Sequence, residues 1–139
     1  SMSASRFSVA WPHPPPLGQR WRSACISRCS PRWPATCIAA ALAPTFPDLD
    51  GVLPGWGPQR PCWWGLGPEL RGTKSPHWSG ATASPLTYGH FGGSGTFLWV
   101  DPALDMTCVA LTDRPFDSWA TAAWPPFSDQ VRAAFAGAA

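Results

Sequence analysis

Hydrophobic and polar positions along the second part of the chain predict β-strands followed by a helix. Residues 96–100 are rich in aromatic and β-branched side chains and predict a strand, and residues 106–111 predict its returning neighbour. Pro102 lies in the intervening segment 101–105, which therefore predicts a turn. The two segments together predict an antiparallel hairpin.

Two further segments predict strands of the same sheet. Residues 63–71 are apolar enough for a strand, although Pro68 favours an edge or a bulge there. Residues 86–91 form the other candidate, and they run into a glycine-rich stretch that lets another backbone or a ligand approach closely.

A helix is predicted near the end of the sequence, over residues 128–135. Ser128 is the predicted N-cap, and Asp129 would lie in the first turn, where the helix dipole favours an acid. The side chains expected to pack on the sheet are Val131, Ala134 and Phe135. The predicted fold class is therefore α+β, a partial antiparallel sheet with a C-terminal helix packed on it.

The first 38 residues have a different composition. Residues 1–38 contain five arginines and no acid, whereas residues 39–139 contain eight acids against five basic residues, so +5 and −3 give the net charge of +2. Prolines interrupt any helical or strand period in the first segment, and only residues 38–42 predict a helical turn. We predict an irregular basic segment, 1–38, followed by a folded part, 39–139.

Three interpretations of the basic segment remain open. It is typical of a disordered basic tail, and we regard nucleic acid as an unlikely partner, although arginines interleaved with tryptophans can bind phosphates and stack on bases. Arginine-, proline- and tryptophan-rich sequence without acids also resembles GC-rich DNA read in a shifted frame.

Length and hydropathy exclude several classes of protein. A chain of 139 residues allows one domain, and no run of 18 apolar residues predicts a membrane span. The N-terminus does not match a signal peptide, because residues 12–16 are rich in proline. A cytoplasmic location is the default expectation.

Cysteine and histidine spacing predicts no metal site, and no cofactor is expected. The five cysteines are an odd number, and Cys25 and Cys29 have no matching second pair. Cys108 falls in the middle of a predicted strand, which indicates a buried structural thiol.

Four short motifs occur in a characteristic order. They are WGLG at 64–67, YGHFGGSGT at 88–96, LWVDP at 98–102 and VALTDR at 109–114. In this order they resemble the C-terminal part of serine β-lactamase-like proteins, the superfamily of class C β-lactamases, penicillin-binding proteins and related esterases. The resemblance covers residues 43–135 and implies acyl transfer by a nucleophilic serine.

The resemblance implies three site residues, His90, Gly92 and Gly93. The third motif of the family falls on residues 90–92, where His90 would orient the substrate or the base. Gly92 would let substrate lie along the strand, and the amide of Gly93 would donate to the oxyanion. Phe91 replaces the usual hydroxyl residue and removes one polar contact.

The other two family motifs are missing from the sequence. The single lysine, Lys74, follows Arg71 at the position where Ser-x-x-Lys needs serine, and Tyr-x-Asn is impossible without asparagine. We therefore predict a truncated protein that is inactive alone. The alternatives are half of a split hydrolase completed by a partner chain and a non-enzymatic binding module that uses the basic segment.

Partial coverage of the family fold implies exposed apolar surface. We expect this exposed surface around Phe97, Trp99 and Val109. A homo-oligomer or an upstream partner chain would then cover it.

Overall fold

The structure, a computed structural model, describes residues 34–136. A helix, a two-stranded sheet, a four-stranded sheet and a long helix follow one another along this part of the chain. The first three elements are α1 (Ala35–Ala41), β1 (Gly51–Leu53) and β2 (Gly57–Gln59). The others are β3 (Glu69–Leu70), β4 (Tyr88–Phe91), β5 (Phe97–Asp101), β6 (Met106–Ala110) and α2 (Ser118–Ala136).

Both sheets are antiparallel, and β3 to β6 lie side by side in chain order. The fold is α+β with α2 packed on the larger sheet, which confirms the predicted class. No helix within residues 34–136 is long and apolar enough to cross a membrane.

The predicted hairpin is confirmed as β5 and β6. Their register runs from Phe97 opposite Ala110 to Asp101 opposite Met106. The connection is a short 3₁₀ turn, Pro102–Leu104, whose Ala103 N–H donates to the Asp101 carboxylate.

The predicted strand over residues 63–71 is much shorter in the structure. Only Glu69–Leu70 form a strand, and Trp64 makes a single bridge to Glu69. The chain reverses between them, where the Gly65 N–H donates to Pro68 O at 2.9 Å. Predicted strand 86–91 begins at Tyr88.

The prediction that Ser128 caps the last helix is wrong. Helix α2 begins at Ser118, ten residues earlier, and it contains Pro125 and Pro126. Ser128 lies inside the helix and is fully buried, with its Oγ accepting a hydrogen bond from Trp99 Nε1 at 3.1 Å.

Asp129 is likewise not in a first turn. Its carboxylate accepts hydrogen bonds from the backbone N–H groups of Ala81 and Thr82, so it ties α2 to a loop. On the predicted packing face Val131 is buried and Phe135 is partly buried, but Ala134 is exposed.

The core between α2 and the sheet is dominated by aromatic rings. Trp124 is fully buried and lies 5.2 Å from Phe97, between ring centroids. The other rings of this cluster are Trp56, Trp78, Phe91, Trp99, Phe116, Trp119, Phe127 and Phe135.

The expectation of exposed apolar surface around Phe97 and Trp99 is also wrong. Phe97 is 3% exposed and Trp99 is 0% exposed, because both lie on the sheet face that α2 covers. Val109, on the opposite face, is half-buried.

Helix α1 crosses the predicted boundary at residue 39. It starts at Ala35, three residues before the predicted turn 38–42, and ends at Ala41. Most of predicted segment 1–38 lies outside the described residues, so the division at 38 stays a prediction.

Candidate active-site wall on strand β4

Beyond Gly89, the outer side of β4 pairs with no strand within residues 34–136. The Gly92 N–H donates to Thr96 O at 2.9 Å, toward the β5 side of the sheet. Since antiparallel backbone groups alternate in direction, the N–H and C=O of Phe91 point the opposite way. Within β4, strand β3 pairs with Tyr88 and Gly89 and with no later residue. We call the backbone from Phe91 to Gly93 on this side the open edge.

A tight turn holds the end of the open edge. It spans residues 92–95 and is closed by a hydrogen bond from Gly95 N–H to Gly92 O at 3.0 Å. Gly95 has a φ of +80° and lies against the Arg114 carbonyl, so a side chain there would clash. Thr112 Oγ1 donates to Gly95 O at 2.8 Å, and this hydrogen bond stabilises the turn.

Gly93 is bonded through its carbonyl alone. Its C=O accepts from Phe116 N–H at 3.0 Å, and its N–H has no acceptor among the described residues. No atom lies within 4 Å of the position that a Cβ would take at Gly93. An exposed backbone donor without an acceptor, on a residue that is held in place, is what an oxyanion site requires.

His90 is exposed on the same strand, three residues before Gly93. Its Nδ1 lies 2.5 Å from Phe91 O, and its ring is 5.4 Å from the Trp64 ring, edge to face. The predicted site residues His90, Gly92 and Gly93 therefore lie on one strand end and its turn, and their proposed roles stay predictions.

Phe91 has a structural role that accounts for its departure from the family motif. Its ring packs in the aromatic core, 5.2 Å from Phe116 and 5.6 Å from Trp56, between centroids. A hydroxyl side chain at this position would leave that space unfilled.

A buried polar cluster surrounds Glu69 of β3, and the sequence did not predict it. Glu69 Oε1 accepts from Lys74 Nζ at 2.8 Å and contacts His77 Nε2 at 3.1 Å, while Oε2 accepts from Trp78 Nε1 at 2.8 Å. Burial acts to raise the pKa of Glu69, but the hydrogen bonds from His77 and Lys74 and the positive charge of Lys74 outweigh it and lower that pKa.

His77 connects this cluster to a serine. Its Nδ1 accepts from the Ser79 N–H at 3.1 Å and lies 2.7 Å from Ser79 Oγ. Burial lowers the pKa of His77, so the ring is neutral and Nε2–H donates to Glu69. Ser79, His77 and Glu69 therefore contact one another in the hydroxyl–imidazole–carboxylate order of a catalytic triad. All three residues are buried, at 0%, 4% and 1% exposed, so no substrate reaches them.

A second buried ion pair fastens α2 to the sheet. Arg132 Nε donates to Asp101 Oδ2 at 3.1 Å, and the guanidinium lies 4.0 Å above the Trp99 ring. Ser84 donates to the same carboxylate through its Oγ at 2.6 Å. Burial acts to raise the pKa of Asp101, but the bonds from Ser84 and Arg132 lower it overall.

Cys108 is buried in the middle of β6, as predicted. It is 0% exposed, and burial raises the pKa of its thiol to about 12. Within residues 34–136, no three His, Cys, Asp or Glu side chains are grouped to hold a metal ion.

Two known proteins are similar to this chain in sequence or fold. The crystal structure of a β-lactamase from Mycobacterium bovis superposes with a TM-score of 0.71 and 54% identity, over 73% of this chain and 38% of that one. A protein of Escherichia coli K12 named "Putative D-alanyl-D-alanine carboxypeptidase" is 45% identical over 53 residues, which are 37% of this chain and 12% of that protein. No protein-family model matches the chain.

The fold and the sequence matches together define a class, the serine hydrolase-like proteins. Within that class, the chain carries the C-terminal part of a serine β-lactamase-like protein. It spans well under half the length of either relative, 38% and 12%.

Proposed function

We propose that this chain forms one wall of an acyl-transfer site and is inactive alone as a hydrolase. The wall is the open edge, with the Gly93 N–H as an oxyanion donor and His90 as the adjacent polar side chain. Acyl transfer also needs a nucleophile and a base, and the 139 residues contain no Ser-x-x-Lys. The names of the two relatives, a β-lactamase and a carboxypeptidase, support this reaction class.

One observation carries the proposal. The Gly93 N–H has no acceptor among the described residues and Gly93 is exposed, while its carbonyl is anchored by Phe116. A donor held in this way stabilises a negative oxygen only where a substrate carbonyl can reach it. The buried Ser79 cannot serve as the nucleophile for such a substrate.

Intact-mass spectrometry tests the proposal. The full chain is incubated with a fluorescent penicillin or a chromogenic ester, and the M. bovis β-lactamase serves as the positive control. We expect no covalent mass addition to this chain. Stoichiometric labelling of any of its serines would overturn the proposal, because it would reveal a working nucleophile.

A second candidate function is half of a split hydrolase completed by another chain. The sheet face opposite α2 supports it, because Leu98 is 45% exposed and His90 lies beside it on the same face. A partner that supplied the missing nucleophile would cover this apolar surface as it completed the site.

The split-hydrolase candidate can be tested with a fragment of the relative. The part of the M. bovis β-lactamase not matched by this chain is produced separately and mixed with the full chain. We expect ester hydrolysis only in the mixture, and weaker hydrolysis with Leu98→Asp. Leu104→Asp is the matched control, since Leu104 is 42% exposed but lies in the turn after β5. A mixture as inactive as its components would exclude this candidate.

A further inference from the structure

Two contacts fix the ring of His90 at the open edge. The first joins its Nδ1 to Phe91 O at 2.5 Å, and the second sets its ring edge to face with Trp64, at 5.4 Å and 65° between planes. A carbonyl oxygen only accepts hydrogen bonds, so Nδ1 carries the proton of the neutral ring. Nε2 is then the unprotonated nitrogen, and it acts as an acceptor.

The acceptor of this contact is itself part of the open edge. Phe91 C=O points away from β5, toward the side where β3 has already ended. The His90 side chain therefore satisfies an edge carbonyl that has no strand partner. This local bond favours one tautomer of an otherwise exposed histidine.

Trp64 also contacts the buried cluster around Glu69, through Lys74. Lys74 Nζ lies 5.7 Å from the centroid of the Trp64 ring, and Lys74 is anchored by Glu69 and by Trp63 O at 2.8 Å. The Trp64 carbonyl accepts from Thr45 N–H at 2.9 Å, which fixes its backbone. Trp64 is thus a supported aromatic surface, 37% exposed, against which the imidazole rests.

We propose that Trp64 is a positioning residue for His90. Together with Phe91 C=O it holds His90 as the Nδ1–H tautomer and leaves Nε2 as a hydrogen-bond acceptor on the strand that leads to the Gly93 donor. The group that meets His90 in a completed site, from a ligand or a partner chain, is therefore a donor such as a hydroxyl or an ammonium. Only this last consequence rests on the proposed function, since the tautomer is a property of the chain alone.

Nitrogen-15 NMR of the imidazoles tests the tautomer. The full chain carries His13→Gln to leave two ring systems, and His90→Gln assigns them by loss of one set of signals. At alkaline pH, where imidazole rings are neutral, we expect a protonated Nδ1 and an unprotonated Nε2 for His90. His77 is the internal control with the opposite tautomer, because its Nδ1 accepts from Ser79 N–H. A protonated Nε2 at His90 would overturn the proposal.

Variants at Trp64 test the positioning role. Trp64→Phe keeps an aromatic ring and should leave the His90 tautomer unchanged, whereas Trp64→Ala should give a mixture of both tautomers. The His77 signals should not move in either variant, which verifies that the fold is intact. If Trp64→Ala leaves His90 fully in its original tautomer, Trp64 has no positioning role. If that variant does not fold, a changed tautomer in Trp64→Phe would also count against the proposal.

Neither result depends on catalysis. A chain that labels with penicillin could still have the predicted tautomer, and an inactive chain could lack it. The two proposals therefore fail separately.

Discussion

The two faces of the four-stranded sheet differ in how they are covered. One face carries Phe97, Trp99 and Cys108, which are buried under α2. The other carries His90 and Leu98, which are exposed. Alternation along each strand sends neighbouring residues to opposite faces, so one strand contributes to both. Burial on the first face stabilises the fold, and the candidate chemistry lies on the second face and at its edge.

Adjacent residues of β5 give the largest expected contrast between the faces. Trp99→Ala should lower the free energy of unfolding by about 3–5 kcal/mol, since it empties a fully buried site and removes the contacts with Arg132 and Ser128. Leu98→Ala should cost less than about 1 kcal/mol, because Leu98 is 45% exposed. Urea denaturation followed by circular dichroism measures both. Equal losses would mean that the Leu98 face is also covered, for instance by a second copy of the chain.

The two ion pairs provide a smaller contrast of the same kind. Asp101→Asn should cost about 3 kcal/mol, because buried Arg132 then keeps only the more distant carboxylate of Asp129, at 4.0 Å. Asp50→Asn should change stability by less than about 1 kcal/mol, since its 3.4 Å pair with Arg60 is exposed. The same urea experiment compares them, and a loss at Asp50 as large as that at Asp101 would be inconsistent with this account.

The buried cluster predicts a moderate dependence of stability on pH. The pKa of His77 is lowered by burial, so below its ordinary value of 6.5 the unfolded chain binds more protons and stability falls. The lowered pKa values of Glu69 and Asp101 add a further loss below about pH 4. The urea midpoint should therefore decrease from about pH 7.5 to about pH 5.5.

His77→Gln isolates the histidine contribution to that dependence. The amide can still donate to Glu69 but does not titrate, so the decrease between about pH 7.5 and about pH 5.5 should become smaller. The slope is compared rather than the absolute stability, because the variant also alters packing. An unchanged slope would show that His77 does not carry the effect.

Local sequence predicted the strands that lie next to each other in the chain. The hairpin of β5 and β6 was found because aromatic and β-branched residues flank a proline-containing turn. The family motifs located the open edge through His90, Gly92 and Gly93. They did not predict Trp64 as a neighbour of His90, since that contact depends on the chain reversal at residues 65–68.

The errors arose where tertiary contacts override local signals. Ser128 was predicted as an N-cap from its residue type, yet α2 begins at Ser118 and runs through Pro125 and Pro126, because its buried Trp124 and Val131 pack on the sheet. The buried charges of Glu69 and Arg132 left no signal either. Their partners are distant in sequence or separated by a loop, and only the folded chain brings them together.

Amide hydrogen exchange at two adjacent glycines tests the central claim most directly. That claim is that the candidate site is an uncovered edge on a well-folded sheet. The Gly92 N–H is bonded to Thr96 O, whereas the Gly93 N–H has no acceptor among the described residues. In the full chain we predict slow exchange at Gly92 and fast exchange at Gly93. Equal protection of both amides would contradict the account, because it would mean that something already occupies the open edge.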